Sequence, residues 1–258
     1  MASGVSGGTA DTARSYASFR AMVYASRPMR EQQLDRRWII LGVFALVAVA
    51  IVVVILVSRG GGDDDSGTTA SAKVGKNGCK KVEAPEPREE KLSAPEQTVE
   101  KGEELTAVVE TSCGTFDIAL DTTRAPKITN SFAYLAEEGF YDGLDFHRIV
   151  PEFVIQGGDP LGNGSGDAGY KVTEKPPANL AYTKGVVAMA KSSTEPPGTA
   201  GSQFFVVTGA DAGLPPEYAL VGKVSSGMDV VERIGKLGTP EEKPKQTVLI
   251  EKMTIERG

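Results

Sequence analysis

From Trp38 to Val57 the chain reads WIILGVFALVAVAIVVVILV, with no charged residue. About 20 such residues cross a hydrocarbon core as one helix. A helix buried in a soluble core would show a polar face, and this run has none. The run therefore divides the chain, because whatever folds in water must lie on one side of it. Trp38 sits at one end, where an indole ring suits the membrane interface. Arg20, Arg27, Arg30, Arg36 and Arg37 precede the run, while Arg59 and Asp63 to Asp65 follow it. Basic flanks stay cytoplasmic, so the N-terminus is expected inside and the larger C-terminal part outside. A cleaved secretory signal would have a shorter apolar stretch and a cleavage site, and none follows Val57.

The flanks differ in kind. Residues 1–37, rich in Ser, Ala, Gly and Arg, read as a cytoplasmic tail. Residues 58–104 are rich in Gly, Asp, Pro, Glu and Lys, with almost no large apolar side chains. Such a segment cannot bury a core and is expected to be a flexible linker. From residue 105 the pattern changes, and 105–258 is the expected folded domain. Thr106 to Thr111 and Thr115 to Leu120 read as strands around a turn at Ser112 to Gly114. Ala125 to Glu138 reads as a helix with Pro126 in its first turn and Gly139 past its end. Short β-rich segments follow, then a helix near Met228 to Ile234 and an alternating strand from Val248 to Ile255. The inventory supports a barrel or sandwich with helical caps.

Inside this domain, Phe146 to Asp159 reads FHRIVPEFVIQGGD and Gly201 to Val206 reads GSQFFV. Arg148, Gln156 and Gln203 are polar residues set among aromatic and aliphatic neighbours. A cation and two amides grouped with phenyl rings suggest an apolar pocket carrying a few placed hydrogen-bonding groups. The formal charge of −6 argues against a nucleic-acid partner. The single histidine, His147, excludes most multi-histidine metal sites. No nucleophile stands near it in a pattern that would make a triad, so it reads as structural. The glycines from Gly157 to Gly169 lack the setting of a phosphate loop and read as turns.

These segments, with MAK at Met189 to Lys191 and EYALVGKV at Glu217 to Val224, resemble the signature stretches of the cyclophilins, peptidyl-prolyl cis/trans isomerases of the cyclosporin-binding type. The resemblance runs from about Leu105 to about Ile255. It implies a mainly β fold, a closed eight-stranded antiparallel barrel capped by two helices, with the substrate groove on its outer surface. It also implies a reaction that needs no metal or cofactor. Rotation about an X-Pro bond meets a barrier of about 18–20 kcal/mol from amide resonance. In the twisted state the prolyl nitrogen is more basic, so a donor aimed at it lowers the barrier.

By the same resemblance Arg148 is that donor. Phe153, Met189, Phe205 and Leu214 form the proline pocket, and Phe204, pointing the opposite way, is core. Gln156 and Gln203 bond the peptide and orient Arg148, while Ala190 and Lys191 offer main-chain pairing. Three positions depart from the family pattern. Lys191 stands where asparagine is usual, which would make the groove positive and favour acidic residues near the proline. Tyr218 replaces the usual pocket histidine and keeps an aromatic wall. Gly213 aligns with the usual tryptophan, so cyclosporin binding is expected to be weak. The loop Lys191 to Gly201 is also longer than usual.

Cys79 and Cys113 both lie outside the membrane in this topology, where disulfides persist. A bond between them would fasten the linker to the barrel; two free thiols or an intermolecular pair are the alternatives. The sequence thus predicts a membrane-anchored isomerase of bacterial type, acting on proline-containing segments of exported proteins. A non-catalytic proline-binding chaperone and a cell-envelope scaffold are the rivals.

Overall fold

Alternation of burial along two neighbouring strands sets the frame of the domain. The computed structural model describes residues 74–258. The expected tail, membrane span and first part of the linker lie outside the described residues. Among the described residues no helix is long and apolar enough to cross a membrane. In β1 (Leu105–Thr111), Leu105, Ala107, Val109 and Thr111 face inward. In β2 (Gly114–Leu120), Phe116, Ile118 and Leu120 do the same. Period-two alternation puts these side chains on one face, which is why both segments settle as strands.

Eight strands form one antiparallel sheet. The others are β3 (Arg148–Val150), β4 (Val154–Gly157), β6 (Val186–Met189), β8 (Phe204–Val207), β9 (Leu220–Ser226) and β10 (Ile250–Arg257). Their order is β10-β1-β2-β9-β6-β8-β4-β3. A separate pair, β5 (Val172–Thr173) with β7 (Thr199–Ala200), has two residues per strand and offers no periodicity to read.

The expected closed barrel is not found among the described residues: the sheet has two ends, and β3 does not pair with β10. β3 is three residues long, and its Ile149 N–H donates to the carbonyl of Glu242 at 3.0 Å instead. The flanking segments approach each other. Gly143 donates to Ile250, Ile250 to Leu144, and Phe146 to Val248, at 2.8 to 3.0 Å.

Helix α1 (Pro126–Glu137) buries Ile128, Phe132 and Leu135. It has no side-chain cap of its own. Glu174 Oε2 accepts from the N–H groups of Lys127 and Ile128 at 3.0 and 3.1 Å, satisfying first-turn donors from a distant loop. Helix α2 is Met228–Gly235. The rings of Phe132, Tyr141, Phe146 and Phe204 meet mostly edge to face at 5.2 to 6.2 Å, an arrangement that favours aromatic quadrupoles.

The part of the expected linker that is described has no helix or strand, yet it lies along the domain. Lys80 N–H donates to Ser112 at 2.6 Å, Arg88 N–H to Pro160 at 2.9 Å and Leu92 N–H to Ala168 at 2.7 Å. The buried Asn130 Oδ1 accepts from Thr98 and Val99 N–H at 2.8 and 3.0 Å, and its Nδ2 donates to Glu96 at 2.9 Å. Val99 is buried as well. Polar composition hides this strap from a search for apolar faces, because backbone bonds hold most of it. Cys79 and Cys113 are joined in a disulfide, and both are buried.

Candidate active site

Strand register brings the expected residues into one row. Arg148 pairs with Gln156, Gln156 with Phe205, and Phe205 with Ala188. Directly opposed residues share a face, so Arg148, Gln156 and Phe205 stand side by side on one face of the sheet, the two polar side chains partly exposed and Phe205 buried. Arg148, Phe153, Gln156, Ala190, Lys191, Phe205, Leu214 and Tyr218 line one cavity of about 270 Å³. Its floor is apolar and its rim carries a guanidinium and an amide. Phe204 is fully buried on the opposite face, among the core rings.

Met189 is not in this cavity. It pairs with Phe204 and is buried on the core face. The side chain that joins the pocket is Val154, which lies two residues before Gln156 on β4 and so shares its face. That period-two relation is written in the sequence and identifies Val154 without a structure.

A chain of side-chain bonds holds Arg148. Arg148 Nη1 donates to Gln156 Oε1 at 3.1 Å, Gln156 Nε2 to Gln203 Oε1 at 3.0 Å, and Gln203 Nε2 to Gly166 O at 2.9 Å. Gln203 lies outside the cavity that Phe153 and Phe205 line, in an adjoining one of about 300 Å³ that shares Gln156, Ala190 and Lys191. The Gly166 loop is itself organised by the buried Asp159 carboxylate. It accepts from Leu161, Asn163, Gly164 and Gly166 N–H groups. A Cβ on Gly166 would sit 2.1 Å from Asp159 Oδ1, so only glycine fits there.

Lys191 does not make the groove positive. Its side chain is only 4% exposed, with Nζ 3.5 Å from Glu217 and 5.4 Å from the centre of the Tyr218 ring. It also donates to the carbonyls of Ser192 and Glu195. The charge is thus met by a carboxylate, an aromatic face and two carbonyls, as a buried ammonium requires. Tyr218 forms the aromatic wall, edge to face with Phe205 at 5.6 Å. Tyr182 braces it, donating to Tyr218 O at 2.6 Å and accepting from Tyr218 N–H at 2.9 Å. Burial pushes the Tyr182 phenol up to about 12, so it stays a donor. Gly213 has a φ of 61° and lies outside the cavity lining, so a tryptophan there would need a strained backbone.

Glu242 is a site residue that nothing in the sequence singles out. Its Oε2 accepts from Arg148 Nε at 2.7 Å. Arg148 in turn holds the Glu242 carboxyl below its ordinary value. No apolar pattern marks the loop that carries Glu242, and the acid is 94 residues from its partner.

Beneath Arg148, His147 is buried with neither ring nitrogen bonded, and burial lowers its pKa so that it stays neutral. Asp145 Oδ1 is buried without a partner, and burial pushes its carboxyl from 3.8 up to about 6. The folded state therefore binds this proton more tightly than the unfolded chain. The associated stability is present at low pH and lost as pH rises through about 6. Asp145→Asn is expected to stabilise the domain at pH 8 by about 1–2 kcal/mol, after discounting for partial exposure. Thermal melts should show that gap closing near pH 4; an equal gap at both pH values would refute the account.

The comparisons with known proteins agree with this geometry. The family described as cyclophilin type peptidyl-prolyl cis-trans isomerase/CLD matches residues 106–255, more than half of the chain. The chain belongs to the cyclophilin-type peptidyl-prolyl isomerases. It is 40% identical over 154 residues to peptidyl-prolyl cis-trans isomerase-like 1 of Neurospora crassa, covering 58% of this chain and 93% of that protein. It is 36% identical over 155 residues to peptidyl-prolyl cis-trans isomerase cypE of Dictyostelium discoideum, covering 58% and 97%. A crystal structure of a Cryptosporidium parvum cyclophilin type isomerase, in the presence of the dipeptide Ala-Pro, superposes with a TM-score of 0.55. That chain is 28% identical, with 59% of this chain and 99% of that one covered. The cyclophilin fold here is mainly β, with a half-barrel sheet and two helices, and its activity is peptidyl-prolyl cis/trans isomerisation.

Proposed function

We propose that this isomerase works from a membrane, in the bacterial form expected above. Trp38 to Val57 is its anchor, residues 1–37 face the cytoplasm, and the domain acts outside on proline-containing segments of exported proteins. The uncharged apolar run and the arginines before it support this reading. So does the Cys79–Cys113 disulfide, since such bonds persist in oxidising compartments. Unaided prolyl steps take tens to hundreds of seconds, long enough to leave a newly exported chain exposed. We read the sheet as a barrel whose ends meet through the segments flanking β3 and β10. Cyclosporin binds it weakly.

In the groove, Arg148 donates to the prolyl nitrogen as the bond twists. Phe153, Val154, Phe205, Leu214 and Tyr218 grip the ring. Gln156 and Gln203 orient Arg148, and the main chain at Ala190 and Lys191 pairs with the extended peptide. The observation that carries the reading is a guanidinium, fixed by Gln156, beside a cavity lined by Phe153, Phe205, Leu214 and Tyr218. A donor there stabilises the twisted bond more than the planar one.

Location is tested by protease treatment of intact cells lacking an outer permeability barrier, and of inverted membrane vesicles. Digestion of the domain in the cells, with protection in inverted vesicles, supports the topology. Digestion only in inverted vesicles, or recovery of the chain in the soluble fraction, overturns it.

A further inference from the structure

We infer that Glu242 is a positioning residue for Arg148, setting the direction in which its free N–H groups point. The inference rests on the reading of Arg148 as donor to the prolyl nitrogen. A guanidinium carries five N–H donors and no acceptor. Gln156 holds one on Nη1 at 3.1 Å, and Glu242 holds Nε at 2.7 Å. Gln156 alone would leave Arg148 free to turn about a single bond. Clamped at two points, the remaining N–H groups have a fixed orientation, which is what catalysis by placement requires.

The clamp is built into the backbone. Among the described residues, Glu242 is one of two non-glycine positions with a positive φ, at 62°. Such a conformation persists only where its surroundings hold it. Here Glu242 N–H donates to Thr239 O at 3.0 Å, and Thr239 N–H to Lys243 O at 3.0 Å. The Glu242 carbonyl then accepts from Ile149 N–H at 3.0 Å, one residue beyond Arg148. The turn is therefore docked on the strand that carries the arginine. Lys245 N–H closes the same loop onto Leu237 O at 2.7 Å.

A plain surface ion pair is the competing role for this contact. Both side chains are partly exposed, at 32% and 49%, and such pairs stabilise a fold little. A carboxylate beside the donor also weakens its positive field. The role assigned here is geometric, so it is separable from both effects.

The test measures kcat and KM for an Ala-Pro peptide on the full-length chain. The variants are Glu242→Ala, Glu242→Gln, Glu242→Asn and Arg148→Ala, with Glu242→Ala also placed in the Arg148→Ala background. Asparagine tolerates the left-handed backbone but lacks the reach, which separates a lost contact from a disturbed loop. Losing one exposed charge-assisted contact corresponds to about a fivefold fall in kcat. That fall is expected in the alanine and asparagine variants, with KM unchanged. Glutamine, which keeps the acceptor, should stay near wild type. In the Arg148→Ala background the second change should have no effect. Alanine and asparagine variants as fast as wild type, or faster, overturn the proposal. So does an equal loss in the Arg148→Ala background. If Arg148→Ala itself keeps full activity, the donor reading fails first, and the two failures are distinguishable.

Discussion

Arg148→Ala is expected to lower kcat/KM for an Ala-Pro peptide by about a hundredfold to a thousandfold, the scale for removing one preorganised transition-state donor. The expectation follows from geometry rather than from charge alone. Arg148 stands in register with Gln156 and Phe205 at the rim of the apolar cavity. The prolyl nitrogen gains basicity only as the bond twists, so a donor there favours the transition state over the ground state. Arg148→Lys should recover little, because an ammonium cannot bond Gln156 and Glu242 through a planar fork while aiming a further N–H. Neither change should unfold the domain. The ion pair with Glu242 is partly exposed, and pairs of that kind contribute no more than about 1 kcal/mol. A melting temperature near wild type, with activity lost, is the expected pairing of results.

Cys79→Ser is expected to have the largest effect on stability. The disulfide closes a loop with a sequence separation of 34. Constraining the unfolded chain over such a loop is worth about 3–4 kcal/mol in the chain-entropy treatment. For a domain of this size that corresponds to a fall in melting temperature of roughly 10 °C. The strap adds to the consequence. Lys80, next to Cys79, bonds Ser112 through the backbone and Glu251 through its ammonium at 2.8 Å. Releasing the bond should loosen these contacts first and raise amide exchange along residues 79–99. Neither cysteine lines the groove, so turnover of the folded fraction at 25 °C should be unchanged. A melting temperature within a degree or two of wild type would refute this account of the disulfide.

The residues differ in how openly the sequence displays them. β1, β2 and α1 are legible because one buried face imposes a period that propensity and turn residues support. The pattern predicts α1 at Ala125 to Glu138, and the helix runs Pro126–Glu137. The groove is legible because a cation and two amides are costly to bury among aromatics unless they line a working surface. Register then decides which neighbour faces it, and this is where Met189 and Val154 exchange places. Met189 sits opposite Phe204, so it follows that ring into the core. The strap reads as a tether in sequence because backbone bonds, a buried Asn130 and a disulfide hold it with few apolar side chains. Glu242 is hidden for a related reason, since one acid in a polar turn acquires meaning only when the turn docks beside Arg148. Lys191 shows the converse. Its charge is plain in the sequence, but the Glu217 carboxylate and Tyr218 ring that answer it are brought there by folding.

The most direct measurement of the central claim is exchange spectroscopy of an Ala-Pro peptide with the full-length chain, wild type beside Arg148→Ala, giving kcat and KM separately. A donor that acts on the twisted bond predicts a fall in kcat with KM nearly unchanged. A rise in KM at unchanged kcat would mean that Arg148 holds the planar peptide instead, and would contradict the mechanism.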